Sequence, residues 1–177
     1  MKKIAYTALC AIICSLLSGC TTTGDKGEPL ESRIKNLEDR EEIRQLLMDY
    51  GRFLDQRDFA SFSSLFAEEE GVWSGGMGEA KGSKAICTLM EETIGKSTDI
   101  NTTPNYHLFM NEVIHVNGDE ADATSKWIFV VQGEKGGPQP FFLGHYEDSF
   151  IRENGRWKFL KRVVHADIPS EKTISKK

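Results

Sequence analysis

The sequence is short of the features that most readily assign a function. It has 4 cysteines in 177 residues. Cys10 and Cys14 lie in an N-terminal apolar run, Cys20 closes that run, and Cys87 alone falls in the body of the chain. An intrachain disulfide in the body is excluded, so the fold must stand on packing even in an oxidising compartment. An excess of positive charge is also missing, with 22 basic against 27 acidic side chains, net −5. If Lys2 and Lys3 leave with an N-terminal leader, 20 basic face 27 acidic residues, net −7. A nucleic-acid partner does not fit that balance. Gly75, Gly76, Gly78 and Gly82 are not followed by the Gly-Lys-Ser/Thr of a phosphate loop, and their spacing suits a hairpin and turn. No spacing of Cys or His along the chain suggests a metal, and no cofactor motif occurs.

The longest apolar run, Ile4 to Leu17, is too short to span a bilayer comfortably and follows Lys2 and Lys3, the pattern of a secretory leader. It ends in Leu17-Ser18-Gly19-Cys20, which resembles the lipobox of bacterial lipoproteins. That resemblance implies that residues 1–19 are removed as a signal peptide and that Cys20 carries a diacylglyceryl group and an N-terminal acyl chain such as palmitate, enough for a firm membrane anchor. Thr21 after the cysteine implies an outer-membrane address facing the periplasm. Residues 20–30 then read as a lipidated tether, since Thr, Gly, Asp, Lys, Glu and Pro fill them. Residues 31–169 read as a single domain and 170–177 as a C-terminal tail.

Within the domain the hydrophobic period is helical first. Ile34, Leu37, Ile43, Leu46, Leu47, Tyr50, Phe53 and Leu54 step by three and four, which predicts one buried face. The stripe stops at Asp55. Asp58 is placed to cap a second helix carrying Phe59, Phe62, Leu65 and Phe66. Val72 and Trp73 open a short hairpin, and Ser83 is placed to cap a third helix with Ile86, Met90 and Ile94 on one side, closed by Gly95. From Asn105 the period becomes two. Tyr106–Val116, 121–132, 141–152 and 156–164 read as four long strands, joined through Asn117-Gly118-Asp119, the loop from Gly133 to Pro140, and Asn154-Gly155. Helices followed by an antiparallel run predict an α+β fold, with helices on one face of a strongly curved, mostly antiparallel sheet.

That order, with Tyr50 and Asp55, the pair His107 and Asn111, Gly144-His145-Tyr146, and the run Asn154 to Phe159, resembles the SnoaL-like branch of the NTF2-like superfamily over roughly 34–164. The resemblance implies a cone-shaped domain with a pocket at its open end, and within the superfamily it is nearest to the dehydratase and dehydrochlorinase types. In those, a helix-terminal Asp and a strand His face each other, and Asp55 and His107 fall where that dyad would be. Tyr50 matches a pocket tyrosine of the bile-acid dehydratase. Val130 departs from that enzyme, where a further strand carboxylate would stand.

The chemistry implied is proton abstraction. A histidine is the side chain best suited to act as base near neutral pH, and a carboxylate on its far nitrogen fixes its tautomer and stabilises the imidazolium. His107 would be the base, Asp55 its partner and Tyr50 a donor to the oxygen that gains charge, making a cofactor-free lyase or isomerase for a small, largely apolar molecule. Asn111, Trp127 and His145 are the candidate substrate-binding residues. Each has a plainer alternative: core packing for Tyr50 and Trp127, a satisfied strand hydrogen bond for His107, a strand-edge hydrogen bond for Asn111, and a solvated helix end for Asp55, which lies off the centre of the apolar stripe. His145 is open in orientation, because Phe141, Leu143 and Ile151 share its face while Tyr146 and Phe150 share the other. His107, Phe109 and Asn111 share one strand face and Ile114 and Val116 the other, so an inward orientation of both sets requires a β-bulge between them. The competing reading is a non-catalytic ligand-binding module, or one that forms homodimers, at the membrane surface.

Overall fold

The structure is a computed structural model and describes residues 28–95 and 104–169. The leader, Cys20, most of the tether and the tail 170–177 lie outside the described residues. Among the described residues no helix is long and apolar enough to cross a membrane.

Helix α1 spans Leu30–Gln56 and buries Ile43, Leu47, Tyr50 and Leu54, the central part of the predicted stripe. Its first turns depart from expectation. Ile34 is 45% and Leu37 65% exposed, and the first buried position is Asp39. A helical period identifies a face, but burial begins only where the helix meets the sheet. The helix ends with Arg57 in the left-handed region at φ 61°; its N–H donates to the Leu54 carbonyl and that of Asp58 to the Phe53 carbonyl. This paired pattern satisfies two of the terminal carbonyls and is more usually made by glycine. The Asp58 carboxylate accepts from the Ser61 N–H at 3.0 Å and so caps α2 (Phe59–Ser63), as its position predicts.

Strands β1 (Val72–Gly75) and β2 (Gly78–Lys81) form the short hairpin. Helix α3 (Ser83–Met90) continues as a π-helical turn, Glu91–Gly95. Ser83 does not cap α3. Gly82 holds the cap position with φ 83°, and the Ser83 N–H is already engaged by the Glu68 carbonyl. Strands β3 (Asn105–Asn117), β4 (Glu120–Gln132), β5 (Pro138–Glu153) and β6 (Arg156–Ile168) follow, and the sheet order is β2-β1-β6-β5-β4-β3. All pairings are antiparallel except β1 with β6. The turns fall where Asn117-Gly118 and Asn154-Gly155 predict them, and Asn154 and Gly155 both take positive φ. The expected bulge is present. Register slips between Met110 and Val113, with Asn111 at φ 55°, so His107 and Phe109 can point inward together with Ile114. Further slips in β4/β5 and β5/β6 add twist and curve the sheet around α1.

At the end of the sheet away from Asp55, Asp39 accepts from Lys35, Arg152 and the Trp157 indole. Burial would raise its carboxyl, but these three bonds outweigh it and hold it below the usual 3.8. A depressed carboxyl stabilises the fold fully above its unfolded value, and the contribution disappears as pH falls through the folded value. Asp39→Asn should therefore lower stability at neutral pH by on the order of 2 kcal/mol. The gap from wild type should close as thermal melts are repeated at pH values falling below 3.8; a gap independent of pH would assign the loss to shape rather than charge.

Candidate functional site

Asp55 stands one residue before the end of α1, and His107 is the third residue of β3. Because β3 is an edge of the sheet, one set of its backbone groups is left without a strand partner. The helix uses one of them: Asp55 Oδ2 accepts the His107 backbone N–H at 3.0 Å, while Asp55 Oδ1 lies 2.6 Å from His107 Nδ1. The carboxylate thus grips strand and ring at once. Its side chain is 19% and that of His107 14% exposed. The helix does not unwind before Asp55. The dyad forms because space opens along that edge of the helix, off the apolar centre. With Nδ1–H donating to Asp55, Nε2 is left with the lone pair. The ring rests on Phe129, centroids 4.6 Å apart.

Gly51 makes the approach of α1 to β3 feasible. A Cβ there would lie 2.5 Å from Phe109 Cε2 and 3.4 Å from the His107 Cβ and carbonyl oxygen. Alanine in a helix interior normally gains about 1 kcal/mol over glycine, but overpacking costs about 1–3 kcal/mol. Because the neighbour is a packed aromatic ring, the clash should win. Gly51→Ala should lower the melting temperature and displace the His107 ring signals in NMR; a more stable variant with unmoved signals would show that Phe109 gives way freely.

A cavity of about 540 Å³ lies inside the cone, lined by Tyr50, Trp73, His107, Trp127, Phe129 and Tyr146 among others. A groove of about 640 Å³ outside it is lined by Arg52, Asp55, Arg57 and His107. His107 and Arg57 border both, so the dyad stands in the wall between them. The Tyr50 hydroxyl accepts from Trp73 Nε1 at 2.9 Å. Burial pushes its phenol up, and the charge of Arg162 and the Trp73 bond only partly offset this, so it stays protonated with its hydrogen available. Burial raises Tyr146 well above its usual value, with the neighbouring Tyr50 adding to the rise. Beneath both rings is Arg162, fully buried, 4.0 Å from the Tyr50 centroid and 4.1 Å from that of Tyr146. It is held by Asp148 through two bonds of 2.7 Å. Burial pushes the Asp148 carboxyl up and Arg162 pulls it back; burial also works against the Arg162 charge, but the Asp148 carboxylate and the neighbouring phenols more than offset it, so the guanidinium stays charged.

The structure therefore brings together Tyr50, Asp55, His107 and Trp127. It does not bring in Asn111 or His145. Asn111 is the exposed bulge residue and borders neither space, because its left-handed backbone turns it out of the alternation. His145 faces the outer side of the sheet, since its neighbours Gly144 and Tyr146 take the inward positions; its ring stacks on His165 at 4.4 Å. Phe129 rather than Val130 reaches the cavity. Sequence reasoning missed Arg57, Trp73 and the Arg162–Asp148 pair. The first two border the cavity from a helix end and from the hairpin, and the pair exists only through β5/β6 register.

Comparison with known proteins agrees with this architecture. The model of the SnoaL-like domain matches residues 35–163. An uncharacterised protein of Mycobacterium tuberculosis is 28% identical over 134 residues, 73% of this chain and 86% of that protein. An NTF2-like protein with a cystatin-like fold from Novosphingobium aromaticivorans superposes with TM-score 0.72 at 25% identity, over 86% of this chain and 97% of that one. A protein assigned as a scytalone dehydratase from the same species gives TM-score 0.60 at 25% identity, over 76% and 87%. With the family model spanning both the helix that carries Asp55 and the strand that carries His107, the chain belongs to the SnoaL-like domain family, on the NTF2-like α+β fold.

Proposed function

We propose that this SnoaL-like domain is a cofactor-free lyase or isomerase that takes a proton from a small, largely apolar molecule, and that it works at the bacterial envelope, anchored through lipid on Cys20. The reading rests on one observation: Asp55 holds both the backbone N–H and the Nδ1 of His107, which leaves the Nε2 lone pair on a residue that borders an apolar cavity. A base so placed can take a proton beside a carbonyl, or vicinal to a leaving group that departs with its electron pair as the double bond forms. Tyr50, kept protonated by burial, is the donor for an oxygen that gains charge, with Tyr146 beside it as a second phenol. Trp127 and Phe129 supply apolar walls for the substrate. The similarity to the scytalone dehydratase assignment favours a dehydration-type reaction over other eliminations.

The test is a panel of compounds carrying such acidic C–H bonds, incubated with the protein in D2O and followed by mass spectrometry. Deuterium incorporation or product should form with wild type and fall to background with His107→Ala; equal rates in both would remove His107 from the reaction. A second reading, self-association through the sheet, is favoured by Tyr106, Leu108 and Val113, exposed on the outer side of β3. Sedimentation of the Leu108→Lys variant against wild type separates dimer from monomer.

A further inference from the structure

On the side of the sheet away from the cavity, two neighbouring strands each carry a histidine followed two residues later by an acid: His145-Tyr146-Glu147 on β5 and His165-Ala166-Asp167 on β6. A strand period of two puts each His and its acid on one face. The register sets His145 directly opposite His165, and their rings stack with planes 10° apart. Since the strands run in opposite directions, each acid comes to lie beside the other strand's histidine. Glu147 Oε2 is 3.5 Å from His165 Nε2, and Asp167 Oδ2 is 2.9 Å from His145 Nδ1. One nitrogen from each ring and one Glu147 oxygen all lie within 4.8 Å of one another.

Two further features point to a ligand. His165 Nε2 is enclosed by protein atoms and makes no hydrogen bond in spite of its carboxylate neighbour. Leaving such an atom unsatisfied is unfavourable, and coordination would remove that cost. Asp167, by engaging Nδ1 of His145, places that ring's proton there and leaves Nε2 as the donor nitrogen, which is the carboxylate support that metal-bound imidazoles characteristically have.

We propose that His145, Glu147 and His165 form a site for a first-row divalent metal ion of the zinc type, with Asp167 as the residue that orients His145. Imidazole ligands select zinc, nickel or copper over magnesium and calcium, which require oxygen shells. The three ligands must draw in to about 2.0–2.2 Å from the ion, and partly exposed side chains on two paired strands can do so by changing rotamer. Glu147 and Asp167 bring two negative charges; Lys126, across from His145 on β4, opposes with one, and being exposed it can turn to solvent. Between the two strands a bound ion acts as a clip. Tyr146, Val164 and Ala166, on the opposite face of those same strands, form part of the cavity wall, so the clip stiffens that wall.

The experiment is calorimetric titration of the chelator-treated protein with zinc chloride, with thermal melts alongside. Wild type should bind one ion per chain and gain stability as zinc is added. Glu147→Gln should bind more weakly, and Asp167→Asn should lose about 10–100-fold in affinity. Both substitutions are at exposed carboxylates that leave the fold intact. His115→Ala and His107→Ala should bind as wild type does, and the imidazole NMR signals of His145 and His165, not those of His107 or His115, should move. Equal affinity in wild type, Glu147→Gln and Asp167→Asn, or loss of binding in His107→Ala, would overturn the proposal.

Discussion

Asp148→Asn should be among the most destabilising single changes in this protein, costing about 3–5 kcal/mol, because it leaves a buried guanidinium without its counter-charge. Arg162 is 0% exposed, and both of its short bonds go to Asp148. Its flat faces are covered by the rings of Tyr50, Tyr146 and Phe159 at 4.0–4.4 Å. Such cation–ring contacts contribute about 0.5–2 kcal/mol each, too little to replace an ionised partner. For a domain of this size the loss corresponds to a fall in Tm of roughly 10–20 °C. Arg162→Met alone should be similarly costly, since it orphans the Asp148 carboxylate. The double variant Asp148→Leu with Arg162→Met should recover most of the stability, as two desolvated charges are removed together. Thermal melts of the four proteins decide it: additive losses in the double variant would show that the site is sensitive to shape and not to charge. A folded double variant also isolates what the cation does beneath the two phenols of the cavity.

The second large effect concerns turnover. On the proposed reaction, His107→Ala should reduce the rate by about 10²- to 10⁴-fold, the usual contribution of a positioned base. Asp55→Asn should come close to it, for a reason visible in the geometry. The carboxylate accepts from two N–H groups at once, the backbone and the ring. An amide offers one oxygen and one NH2, so it can satisfy one of those donors and must face the other with its own hydrogens. If the oxygen keeps the backbone bond, the NH2 meets Nδ1, which favours the tautomer with its proton on Nε2 and removes the lone pair needed for catalysis. Substrate affinity should change little in either variant, because the cavity walls are aromatic. Single-turnover rates with separately measured binding constants check this; loss appearing wholly in binding would make the dyad a recognition element. The same measurement on Gly51→Ala reports whether the helix-to-strand distance matters, since small misplacements of a base are costly.

Much of the architecture was legible because it depends on neighbours in sequence. Helical and two-residue periods depend on residues a few positions apart, and Asn117-Gly118 and Asn154-Gly155 carry their turn geometry in their own backbones. Asp58 caps α2 with a carboxylate that accepts from an N–H only three residues on. Even the bulge near Asn111 followed from a conflict of parity within one strand. The Asp55–His107 dyad is implied by family resemblance, whereas the helical wheel alone argues against it.

What tertiary structure decided were the properties that need distant segments to meet. Ile34 and Leu37 lie on the predicted face yet stay exposed, because the sheet does not reach them. His145 turned from a cavity candidate into an outer-face residue once β5 register fixed which neighbours point inward. Asp148 and Arg162 are unremarkable acid and base in the sequence, and so are the two His-x-acid pairs of β5 and β6; only cross-strand register makes one a buried ion pair and the other a candidate metal site. Sequence by itself determined which faces were apolar and where the chain turned, since those are local. Which side chains met was decided by pairing between strands, where a slip of one residue sends every side chain to the opposite face.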